Sequence, residues 1–104
     1  MTNTPAPLDK IRSQIDLLDV DLVHLLAARE HLVRQAGRLK TDTAAVRAPT
    51  RVERVVAQAR ATAAEAGATP DIVERIYRAM VAAFVDLELK HHAQGADPTP
   101  PCPR

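Results

Sequence analysis

The stretch LDKIRSQIDLLDVDLVHLLAAREHLVRQAGRLK, Leu8 to Lys40, decides the fold of this chain. Its apolar residues Ile11, Ile15, Leu18, Leu22, Leu25, Leu32, Ala36 and Leu39 recur at spacings of three, four or seven, the period of one helix face. No proline interrupts the run, and the residues between are mostly good helix formers. A single long helix is expected. Thirty-odd residues at about 1.5 Å each span roughly 48 Å, whereas a compact domain of about 100 residues has a radius of gyration of roughly 13 Å. Such a helix overhangs its own domain, and its apolar stripe needs a second chain to cover it. An intertwined or antiparallel homodimer is therefore expected, with a bent first helix in a monomeric bundle as the alternative.

Working outward, residues 41–48 read as a loop. Pro49 precedes Thr50-Arg51-Val52-Glu53, which has the form of a capping box opening a second helix to about Ala66. Gly67 ends that helix. Thr69-Pro70 opens the third, with threonine as N-cap and proline at the first helical position. This helix carries Val73, Ile76, Tyr77, Met80, Phe84 and Leu87 on one face and runs to about His92. No strand signal and no internal repeat occurs. The expectation is an all-α architecture of three helices in one domain over residues 8–92. An N-terminal segment, 1–7, and a proline-rich tail, 93–104, are expected to be disordered.

Composition narrows the function. At 104 residues there is room for one domain. Hydrophobic residues make up 46% and charged residues 26%, as in an ordinary soluble chain. A net charge of +1 gives no field that would draw the protein to nucleic acid or anionic lipid. Tyr77 and Phe84 are the only aromatics, so a single-strand binder's stacking platforms are missing. The basic residues are interleaved with acids and form no stripe. The first residues do not have the pattern of a signal peptide, and no apolar run is long enough to span a membrane. Cys102 has no intrachain partner and no local structure to activate it. A reducing, cytoplasmic setting is expected.

Function shows where the apolar pattern fails. Continuing the first helix's stripe from Leu22 and Leu25 leads to positions 29, 32, 36 and 40, two of which hold Arg29 and Lys40. Three helical turns separate them, leaving them within about 20° of each other around the axis. Ala36 and Gly37 between them are small and leave space beside the backbone. An uncompensated buried cation costs several kcal/mol, and no acid of this helix lies near them on that face, so an anionic ligand is a reasonable partner. The alternative is snorkelling, with long stems on the core and charged heads in water. On the third helix Glu88 continues the apolar face, four residues after Phe84 and seven after Val81. Burial there favours its neutral form unless a cation lies close; a frayed, exposed helix end with Glu88 paired to His92 is the alternative. Glu88-Leu89-Lys90-His91 has the spacing of one half of a carboxylate-bridged di-iron site, but two such motifs and two more glutamates are required. His24 and His31 lack a third ligand, so no metal is expected, and the three glycines form no phosphate loop.

These residues resemble a known family. Ile11-Arg12-x-x-Ile15-Asp16-x-x-Asp19, Leu25-Leu26-Ala27-Ala28-Arg29 and Gly37-Arg38-Leu39-Lys40 are similar to the first helix of the all-helical, type II chorismate mutases. Pro49-Thr50-Arg51-Val52 and Phe84-x-x-x-Glu88 fit the second and third helices, so the resemblance covers about Leu8 to His92. It implies an intertwined homodimer with two equivalent sites that turns chorismate into prephenate without cofactor or metal. By matching position, Arg29, Lys40 and Arg51 would hold the substrate carboxylates and ether oxygen from one chain, Arg12 would come from the other, and Glu88 would act beside Lys40. Geometry favours that division independently. Arg12 and Arg29 are seventeen residues apart, about 25 Å along a helix, too far to converge within one.

Two departures matter. Val52 stands where the mutases often have an acid, and Glu88 where they often have glutamine; some mutases of this fold do carry glutamate there. The segment Ala44-Ala45-Val46-Arg47-Ala48-Pro49-x-Arg51-Val52 is similar to the loop of isochorismate-pyruvate lyases, which share the fold but keep the glutamine. The resemblance thus leaves two reactions open, rearrangement to prephenate and cleavage of isochorismate to salicylate and pyruvate. A non-catalytic helical dimer that binds a carboxylate effector or another protein is the third reading.

Overall fold

Proline suits the start of a helix because its missing N–H is one that no helix can satisfy. The first helix accordingly begins at a proline: α1 runs Pro7–Leu39 in the computed structural model, which describes residues 6–95. The Ala6 carbonyl accepts the Lys10 N–H at 3.2 Å. The expected tails lie largely outside the described residues, and Cys102 with them. The chain divides into two units, Met1–Leu32 and Val33–Arg104, with the boundary inside α1.

In the first unit the described residues are the N-terminal part of α1. No residue of this helix is buried. Its apolar positions Ile11, Ile15, Leu18, Leu22 and Leu25 are between 48% and 67% exposed. Asp9 places negative charge in the first turn, where the helix dipole favours it, and lies 4.0 Å from Arg12.

The second unit opens with the end of α1. Lys40 has left the helix, with its N–H bonded to the Gly37 carbonyl at 3.2 Å in a tighter final turn. The expected loop contains a short helix, α2, Thr43–Arg47. Asp42 caps it, its side chain accepting the Ala45 N–H at 2.8 Å. Val46 is buried, and α2 packs on the last helix, Pro70–Gly95 (α4 below).

The capping box is corrected by the structure. The intervening helix α3 runs Pro49–Ala66, two residues earlier than a Thr50 cap implies, with Pro49 in its first turn. Its N-cap is Ala48, left-handed at φ 34°, not Thr50. Glu53 serves a tertiary bond instead: Arg78 of α4 donates to both its oxygens, at 2.9 and 3.0 Å. Two bonds from a guanidinium replace the single bond from a backbone N–H that the box offered.

Gly67 turns the chain. It closes α3 at φ 81°, its N–H reaching back to the Ala63 and Ala64 carbonyls, while Ala68 N donates to Ala63 O at 2.8 Å. The α3 face Val56, Ala59 and Ala63 is buried where α3 and α4 pack together, and two alanines on that face allow close approach. From α4 Val81 joins them, followed by a buried charge, Glu88. Ile76, expected on the covered face, is 59% exposed; the covered register runs instead through Tyr77, Val81, Phe84 and Glu88. α4 continues to Gly95, past the expected end near His92. Among the described residues no strand occurs, and no helix is long and apolar enough to cross a membrane.

Gly67→Ala should destabilise the second unit by about 1–2 kcal/mol, the cost of left-handed backbone for a residue with a Cβ. An added Cβ would meet nothing within 4 Å, so the backbone term acts alone. Thermal unfolding should register a drop of roughly 4–8 °C per kcal/mol; an unchanged midpoint would contradict the turn's role.

The α3–α4 surface also carries a pH dependence. Arg78 holds the carboxyls of Glu53 and Glu74 below their usual value of 4.5, with Arg60 adding to the effect at Glu74. A depressed carboxyl contributes stability above its unfolded value and loses it as pH falls through the folded one. Thermal midpoints should therefore fall as buffers go below pH 4.5, and Arg78→Met should make that fall shallower. Because these pairs are exposed, the change should be modest and smaller in high salt.

Candidate active site

A carboxylate taken out of water needs a cation, and Glu88 has one. Its side chain is only 8% exposed, and Lys40 Nζ donates to its Oε2 at 2.8 Å. Two anomalies of the sequence, a cation and an acid each on an apolar face, are thus one interaction. The expectation that Lys40 needs an anion is met in part by the protein itself. Glu88 is neither frayed nor paired to His92.

Each partner is positioned by its own element. Lys40 is held just beyond α1 by its backbone bond to Gly37, and its side chain is 27% exposed. Glu88 projects from α4 toward Gly37, whose lack of a side chain leaves the carboxylate room against α1. The pair forms part of the wall of a cleft of about 490 Å³, a volume in the range of small-molecule sites. Arg34, Gly37, Arg38, Lys40 and Thr41 line one side; Leu87, Glu88, His91 and His92 line the other. Arg34 Nη1 donates to Nε2 of His91.

Three basic side chains, Arg34, Arg38 and Lys40, and a single acid, Glu88, stand in this lining. The basic excess suits an anionic guest. Lys40 can stabilise negative charge developing on a guest oxygen, while Glu88 can accept a hydrogen bond when ionised or donate one when protonated.

Of the five residues singled out by the sequence, the structure brings together Lys40 and Glu88. Arg51, in the first turn of α3, is exposed and does not line the cleft. In the first unit Arg12 is exposed beside Asp9, and Arg29 is half-buried. Sequence reading missed Arg34, named Arg38 only within the family motif and His92 only as a partner for an exposed Glu88, and noticed His91 only in a metal motif. Helical spacing carries the signal that could have found them: 34, 37 and 38 share a face of α1, and 88, 91 and 92 share a face of α4. Glu88 and His91 make separate bonds, to Lys40 and Arg34. Among the described residues no three His, Cys, Asp or Glu side chains gather closely enough to hold a metal.

Residues 11–89 match the family described as chorismate mutase type II. The chain belongs to that family. The chorismate mutase type II match runs from Ile11 to Leu89, so it takes in both Lys40 and Glu88. The chain is also similar to the isochorismate pyruvate lyase of Pseudomonas aeruginosa, 31% identical over 87 residues that cover 84% of this chain and 86% of that protein. Membership makes this an enzyme of the chorismate mutase type, and it accords with the all-α architecture. The two names stand for two reactions within one fold.

Proposed function

We propose that the protein is a chorismate mutase, rearranging chorismate to prephenate without a cofactor. The observation that carries this reading is the meeting of Lys40 Nζ and Glu88 Oε2 at 2.8 Å in the wall of the cleft. The reaction needs the flexible dicarboxylate held in its compact reactive conformer, and charge stabilised on the ether oxygen as its C–O bond breaks. Lys40 is the fixed cation at that oxygen. Arg29 and Arg51 of one chain, with Arg12 of a second, clamp the carboxylates.

A second chain is part of this proposal. The exposed row Ile11, Ile15, Leu18, Leu22 and Leu25 is a larger apolar face than a stable monomer usually leaves in water. A second copy supplies an identical row and brings its own Arg12.

Glu88 changes role on binding in this scheme. In the empty site it is the counter-ion of Lys40. A guest with two negative charges competes for that cation. Protonated, it donates a second hydrogen bond to the ether oxygen; ionised, it would repel the developing charge.

Cleavage of isochorismate to salicylate and pyruvate is the second reading, favoured by the 31% identity to a lyase and by the loop from Ala44 to Val52. The same cationic clamp serves it.

Incubating the pure protein separately with chorismate and isochorismate, and following prephenate and salicylate, separates the two reactions. Prephenate is the expected product; salicylate alone would move the assignment to the lyase. Glu88→Gln, which still offers a donor to the ether oxygen, should retain mutase activity that Glu88→Ala loses. Equal activity in the two variants would remove Glu88 from this role.

Mixing tests the shared site. Arg12→Ala and Lys40→Ala chains, each inactive alone, should regain part of the activity when mixed, because one of the two sites in a mixed dimer is intact. No recovery in demonstrably mixed dimers would show that Arg12 is not shared.

A further inference from the structure

A glycine near the end of a helix commonly serves a left-handed backbone. Gly37 does not. Among the described residues Gly67 is the only glycine with positive φ, so the backbone at Gly37 is open to any L-residue. Alanine would form helix better there, since glycine loses more conformational freedom on folding. Local preference therefore gives no reason for glycine at this position.

Space gives one. A Cβ on Gly37 would stand 3.3 Å from Oε2 of Glu88, 3.6 Å from its Cγ and 3.7 Å from its Cδ. The two carbon distances are ordinary contacts, whereas the oxygen distance is too tight and the carboxylate would have to give. That oxygen is the one that accepts from Lys40. Glu88 is 7% exposed, so moving aside means pressing on packed neighbours. Lys40 has limited freedom to follow, because its own N–H is bonded to the Gly37 carbonyl.

We propose that Gly37 is a positioning residue. Its missing side chain is the recess in which the Glu88 carboxylate lies against α1 and meets Lys40, so that acid and cation address one point of the cleft. The catalytic consequence rests on the reading of Lys40 and Glu88 as the pair at the ether oxygen; the geometric consequence does not. Small displacements matter because misplacing a catalytic group by about 1 Å can cost 10²-fold in rate.

The test is a double-mutant cycle between Lys40→Ala and Glu88→Ala, read by thermal unfolding, in the wild-type and Gly37→Ala backgrounds. Coupling between the two residues should be measurable in the wild type and largely lost with Gly37→Ala. In turnover assays Gly37→Ala should lower kcat about tenfold with a smaller effect on KM. In the Glu88→Ala background, where no carboxylate remains to be displaced, Gly37→Ala should lower kcat little further. A residue serving only the helix would act equally in both backgrounds. Undiminished Lys40–Glu88 coupling in Gly37→Ala overturns the proposal whatever the turnover. A wild type that makes neither product overturns the functional reading and leaves the coupling result standing. Should Gly37→Ala fail to fold, the Gly37→Ala/Glu88→Ala chain decides: folding supports a clash at Glu88, and failure there places the role of Gly37 in the helix and overturns the proposal.

Discussion

Glu88 is a carboxylate in a place where water cannot reach it freely, and the structure around the cleft follows from supplying its counter-charge. Removing an ion from water costs several kcal/mol unless a partner stands at bonding distance. Lys40 meets that condition at 2.8 Å, and to do so it has to leave α1 one residue after Leu39 and face α4. α4 in turn has to follow α3 closely enough for its later turns to reach the end of α1. Gly67 sets that path by reversing the chain in a left-handed turn, and the small face Val56, Ala59 and Ala63 lets the two helices lie together. The ion pair is thus the last member of a chain of packing that begins at a turn with no chemistry of its own.

Much of this was legible in the sequence, because helices announce their faces and their ends. The period of Ile11, Ile15, Leu18, Leu22 and Leu25 gave α1 to within a residue, and Gly67 with Pro70 gave the hairpin. The errors share a cause. Thr50 and Glu53 make a sound local cap, but Arg78, 25 positions away, takes the glutamate. α2 is five residues long, too short for periodicity to register, and rests on the local cap from Asp42 and the burial of Val46. Ile76 lies on the apolar side of α4 yet stays exposed, because the packing of α4 uses a slightly rotated register.

The candidate site divides along the same line. Lys40 and Glu88 stood out because each is a charge on a face that should be apolar. Neither revealed its partner, since 48 positions separate them and no local rule spans that distance. Arg34 did not stand out, and Arg38, His91 and His92 did so only in other connections. They border the apolar register, where charge is ordinary, and become a site only when two helices bring them to one cleft. Sequence anomalies locate single members of a constellation; packing assembles it.

The electrostatics of the cleft also bear on why one fold could serve two reactions. Both the rearrangement and the lyase cleavage break an ether C–O bond in a molecule with two carboxylates. On the proposed reading, a lining with Arg34, Arg38, Lys40 and one acid meets the demands they share: holding a dianion and stabilising the oxygen as its bond breaks. What separates the reactions must then lie in the conformer the clamp imposes. That conformer is set by the placement of charges to within fractions of an ångström, more than by their number. A glycine that fixes where a single carboxylate lies has influence out of proportion to its size, since the charges it leaves in place are the same for either outcome.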